Sequence, residues 1–109
     1  MTDTSGGDSP EADLAPGRGL KRFQEQIERI YLERDTERGW EKTFAWFIEE
    51  VGELARALHR DHDEDLEGEF IDVAAWLVTL ASIRGIDLEK AAEKYANGCP
   101  RCQATPCRC

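Results

Sequence analysis

From Leu20 to about Ala96 the apolar residues recur at spacings of three and four. No stretch alternates apolar with polar in the way a half-buried strand does. Only helices satisfy that pattern, so the chain is expected to be all-α. Leu20, Phe23, Ile27, Ile30 and Tyr31 predict a first helix to about Arg34, broken by "DTERG". Phe44, Phe47, Ile48, Val51, Leu54, Ala55 and Leu58 predict a second over about Trp40 to Arg60. "DHDED" reads as a turn with several N-cap candidates. Leu66, Phe70, Val73, Ala74, Leu77 and Leu80 predict a third helix from about Glu64 to Arg84. Gly85 suits the residue after its end, Asp87 suits the next N-cap, and a short fourth helix runs from Leu88 to about Ala96.

The second helix is apolar over an arc of roughly 200°, wider than an ordinary surface helix needs. Either the first and fourth helices cover the excess or, four short helices being few for so wide an arc, another copy of the chain does. The expected architecture is therefore a helical hairpin core with flanking helices, assembling as a four-helix-bundle-like homodimer or homotetramer. Residues 1–19 are rich in Gly, Pro, Ser, Thr and Asp and are expected to be a disordered tail. The domain proper is expected over 20–98, followed by a Cys-rich segment over 99–109.

Charge narrows the partners. Twenty-three acids against 14 bases give a formal net charge of −9. That argues against nucleic acid, which requires a basic face, and against an anionic membrane surface. No apolar run approaches the ~18 residues of a membrane span, and the N-terminus has no secretory pattern, so a cytoplasmic location is expected.

"EEVGELARAL", residues 49–58, mixes glutamates with residues that seek burial. Glu50 and Glu53 are three apart and share a helix face, as do Glu69 and Asp72 on the third helix. In an antiparallel hairpin, residues at one level have position numbers with a constant sum. Centred near Asp61, the hairpin pairs Glu50 with Asp72 and Glu53 with Glu69. Four carboxylates beside a core would repel one another and take up protons unless a cation neutralised them. Oxygen donors without His or Cys select Mg²⁺, Mn²⁺ or Ca²⁺.

"EEVGEL" followed by "EFIDV" resembles the EExxE…ExxD signature of the MazG-like all-α nucleotide pyrophosphohydrolases. The resemblance runs from about Trp40 to Asn97 and includes "RGIDLEKAAEKY". It implies Mg²⁺-dependent cleavage of a nucleoside triphosphate to the monophosphate and pyrophosphate. It makes Glu50, Glu53, Glu69 and Asp72 the metal ligands, and Glu49 the group that orients or deprotonates the attacking water. Lys90 and Lys94, with Lys42, Arg56 and Arg84 behind them, are cation candidates for the departing pyrophosphate. Lys94 and Asn97 match a Lys and an Asn that family members often carry near this end. The chain departs from the family at "GCPRC", where many members continue with basic residues.

Trp46 and Trp76 fall one turn beyond the Glu50–Asp72 level. They are either a surface on which a nucleobase stacks or core and interface residues. Cys99, Cys102, Cys107 and Cys109 include a CPxC knuckle suited to Zn²⁺. The second pair is only Cys-x-Cys and the intervening loop is short, so one tetrahedral site looks tight and two chains sharing a metal is the alternative. His59 and His62 are expected in solvent rather than as ligands. Two rival readings are a phosphoribosyl-ATP pyrophosphohydrolase and a non-catalytic helical dimer with a zinc tail serving as an interaction module.

Overall fold

The computed structural model describes residues 19–60 and 65–109. Residues 1–18 of the expected tail and residues 61–64 of the expected turn, His62 among them, lie outside the described residues. Four α-helices follow in order: α1 Leu20–Arg38, α2 Trp40–Leu58, α3 Leu66–Ile83 and α4 Leu88–Ala91, the last continuing as a 3-10 turn over Ala92–Tyr95. No strand occurs among the described residues, so the all-α class holds.

The boundary between α1 and α2 differs from the one expected. "DTER" continues α1 instead of ending it, because Asp35 and Arg38, three apart on one face, form a 2.6 Å ion pair inside the helix. The break falls at Gly39, whose φ of 91° is reached cheaply only without a Cβ. Arg38 Nε then donates to Thr43 Oγ1 at 2.9 Å, tying the last turn of α1 to the first turn of α2. Asp35 and Thr43 are both buried. α2 stops at Leu58, two residues early, with the Arg60 N–H turned back to the Ala57 carbonyl. At the other end of α3, Gly85 follows the helix with φ 72°, and Asp87 caps α4 by accepting from the Lys90 N–H.

α2 and α3 form the antiparallel hairpin. Trp46 meets Trp76 and Glu50 meets Asp72 as in the expected register, while Glu69, expected opposite Glu53, also comes within reach of Glu50. α1 packs across α3 through a polar hub that apolar periodicity does not reveal. Buried Gln24 donates to Ser82 Oγ (3.0 Å) and the Ile86 carbonyl (2.8 Å), and accepts from the Leu88 N–H (3.0 Å). Ser82 in turn donates to Glu28 at 2.7 Å. Each such bond contributes about 0.5–1.5 kcal/mol net, and losing Gln24 would leave its partners unsatisfied.

The buried apolar set is small: Ile27, Ala57, Val78 and Ala81. Trp40, Phe44, Ile48, Val51 and Leu58 on α2, with Phe70, Ile71 and Leu77 on α3, remain exposed. The wide apolar arc read from the sequence is thus left open by the chain's own helices, α1 included. No helix of the described residues is long and apolar enough to cross a membrane.

Candidate active site

The hairpin register brings Glu50, Glu69 and Asp72 together, with one carboxylate oxygen from each lying within 4.8 Å of the others. Glu50 and Glu69 are half-buried, and Asp72 faces solvent. The Glu50 carboxyl is held above its ordinary range, first by burial, then by the charges of Glu53, Asp72, Glu69 and Glu49. Glu53 is therefore close enough to act on Glu50, although it stands outside the tight trio. Glu49 is exposed, on the turn beside the cluster. A half-buried acid among four other acids, all oxygen donors, fits a hard divalent cation.

Asp72 also lines a cleft of about 370 Å³ between α1 and the hairpin. Trp46 and Trp76 form one wall, edge to face at 5.6 Å and 84°. The Arg38 guanidinium lies over both rings, 4.8 Å from the Trp46 centroid and 5.4 Å from that of Trp76. Tyr31 and Arg34 complete the α1 side. The tryptophans thus stand next to the carboxylates, in contact with each other and with a cation that Asp35 fixes in place.

Lys90, Lys94 and Asn97 are not brought to this site within the chain. All three are exposed, and Lys94 lies over its neighbour Tyr95 at 5.2 Å. α4 docks on the start of α1, where the Lys21 N–H donates to Glu89 at 3.2 Å and Lys21 Nζ approaches Asp87 at 3.9 Å. Along α3, Asp72 and Ile83 are separated by about 16 Å at 1.5 Å per residue. The cations that do line the cleft, Arg34 and Arg38, were not singled out in the sequence. Their signal was the Asp35–Arg38 pair inside a segment that reads as a breaker. Lys42, Arg56 and Arg84 are exposed.

The family model of the MazG nucleotide pyrophosphohydrolase domain matches residues 38–103. The chain belongs to the MazG family. No curated protein matches the chain closely enough to count as a relative. The MazG match takes in both halves of the carboxylate cluster, both tryptophans and Arg38, whereas Tyr31, Arg34 and Asp35 precede it.

A second cluster straddles the end of the MazG match: Cys99 and Cys102 fall inside it, Cys107 and Cys109 beyond. The segment, short enough to make one tetrahedral set tight, brings all four Sγ atoms within 4.8 Å of one another in one chain. It does so by folding back on itself, with the Gln103 N–H on the Cys99 carbonyl (2.6 Å) and the Cys99 N–H on that of Ala104 (3.1 Å). Backbone N–H donors, that of Arg108 foremost, bring the Cys102 thiol down to about 6. Amide donors from Cys102 and Arg101 lower Cys99, while the neighbouring Cys107 thiol raises Cys109. His59 is exposed and bonded to its own helix through the Ala55 carbonyl at 2.8 Å, so it stands apart from both clusters, as expected.

Proposed function

We propose that the protein is a Mg²⁺-dependent nucleoside triphosphate pyrophosphohydrolase that releases a nucleoside monophosphate and pyrophosphate. The observation that carries this reading is the convergence of Glu50, Glu69 and Asp72 on the edge of a cleft walled by Trp46, Trp76 and Arg38. With Glu53, these carboxylates would hold Mg²⁺ or Mn²⁺, which when bound supplies charge for the phosphate oxygens. Glu49 takes the proton of a water whose oxygen bonds to the α-phosphorus. The bridging bond to the β-phosphate breaks, and pyrophosphate leaves.

The tryptophan wall and Tyr31 receive the nucleoside, and Arg34 and Arg38 are the nearest cations for its phosphates. Lys90, Lys94 and Asn97 join them only from a second copy of the chain. The exposed apolar stripes of α2 and α3 suit a homodimer or homotetramer.

Pyrophosphate release from a panel of nucleoside triphosphates, with phosphoribosyl-ATP included, tests the proposal. Release should require Mg²⁺ or Mn²⁺ and stop with chelator. Turnover confined to phosphoribosyl-ATP would give the chain the other activity, and no turnover of any member would sink the enzymatic reading.

A further inference from the structure

The four cysteines play no part in the chemistry above, yet among the described residues they form a second close group of metal-ligating side chains. We propose that Cys99, Cys102, Cys107 and Cys109 bind one structural Zn²⁺ within a single chain. Distance is the first argument. Cys107 Sγ lies 3.4 Å from Cys109 Sγ and 3.6 Å from Cys99 Sγ, and Cys99 Sγ lies 3.8 Å from Cys109 Sγ. Thiolates at about 2.3 Å from zinc occupy the corners of a tetrahedron whose edge is about 3.8 Å. A disulfide would need about 2.05 Å. The sulfurs are spaced to share a metal, not to bond in pairs.

The backbone gives the second argument. The Arg101 N–H donates to Cys99 Sγ and the Arg108 N–H to Cys102 Sγ, each at 3.4 Å. Such donors stabilise thiolate charge and orient the ligands, as the outer partners of a metal site do. Two residues of the loop, Arg101 and Arg108, also offset the −2 charge of a zinc tetrathiolate. The turn that starts the loop is specified as well. Gly98 has φ 99°, and a Cβ there would sit 2.6 Å from Thr105 Oγ1 and 2.9 Å from the Ala104 carbonyl oxygen.

Energetics give the third argument. Every residue from 99 to 109 is exposed or half-buried, so no apolar core holds this loop closed. A segment that buries so little gains its order from cross-links or metal. Four soft thiolates with no oxygen or nitrogen select zinc over the hard cation suited to the carboxylates, and four protein ligands leave no open position for chemistry. The site is structural, and it stands or falls independently of the pyrophosphohydrolase reading.

The test uses the full chain, purified with reductant and without added metal. Elemental analysis should find about one zinc per chain. Cys102→Ser and Cys107→Ser should lose it, and Glu50→Gln should keep it. Cobalt(II) added to metal-stripped wild-type protein should give the thiolate-to-metal absorption of a tetrahedral sulfur site, a readout that needs no variant to fold. Metal-free protein without that absorption, iron in place of zinc, or one zinc per two chains would each overturn the proposal. So would zinc that survives both Cys changes and disappears with Glu50→Gln.

Discussion

Glu50→Gln should make the metal-free protein more stable and inactive. Glu50 has carboxylate oxygens of Glu69 and Asp72 within 4.8 Å. At that separation two unit charges repel by about 0.9 kcal/mol in water and about 3.5 kcal/mol at an effective dielectric of ~20. Asp72 is exposed and the other two are half-buried, so screening places each pair near the lower figure. Glutamine keeps the shape and removes the charge. The expected gain is about 1–2 kcal/mol at pH 7 in chelator and low salt, after allowance for relaxation of the side chains. For a domain of this size each kcal/mol raises Tm by about 4–8 °C.

The pH dependence has a definite sign. Glu50 titrates above its unfolded value of 4.5 in the folded chain, so the folded state holds its proton more tightly. The stability this contributes is full below the unfolded value and is lost as pH rises through the folded one. Thermal unfolding of the metal-free wild type should therefore show stability declining above about pH 4.5, and Glu50→Gln should flatten that decline. Mg²⁺ should stabilise the wild type at neutral pH and leave the variant nearly unmoved. A variant no more stable than wild type in chelator, or one that keeps both the Mg²⁺ response and turnover, would refute the cluster as a metal site.

Other perturbations probe the rest of the molecule. Asp35→Ala strands the Arg38 guanidinium, whose side chain is only 11% exposed, and should cost about 3–5 kcal/mol in urea unfolding. Adding Arg38→Met should recover most of that loss, and simple additivity of the two changes would refute the pair as a coupled unit. Trp46→Ala should raise KM for the nucleotide by about 5- to 100-fold with a smaller change in kcat, the loss of one stacking surface; an unchanged KM would leave the tryptophans as packing alone. Gly39→Ala should cost more than about 1 kcal/mol, because φ 91° is strained for any residue with a Cβ, and calorimetry showing no loss would contradict that break. Sedimentation should find a dimer or tetramer at micromolar concentration, and a stable monomer would contradict the reading of the exposed apolar stripes.

The hairpin register was legible because it follows from helical period and one short turn. Glu50 meets Asp72, and Trp46 meets Trp76, at the levels that spacing predicts, whereas Glu69 gathers with Glu50 and Asp72 rather than with Glu53 alone. The α1 boundary was misread because "DTERG" carries breaker residues, and propensity says nothing of an Asp35–Arg38 pair buried against Thr43. Ligand spacing left the single-chain and shared arrangements of the cysteines both open, because it does not reveal how far a loop can fold back through its own amides.

Periodicity is local, so the sequence by itself determined the all-α class, the antiparallel pairing of α2 with α3 and the meeting of the acids on that hairpin. Tertiary structure decided what distant segments do to one another. Gln24 fastens α1 to the end of α3 and the start of α4, setting Tyr31, Arg34 and Arg38 against the tryptophans. The same packing carries α4, with Lys90, and the 3-10 turn after it, with Lys94, to the far end of the hairpin from the acids. Those outcomes rest on polar contacts whose partners are as many as 68 residues apart, and no repeat along the chain encodes them.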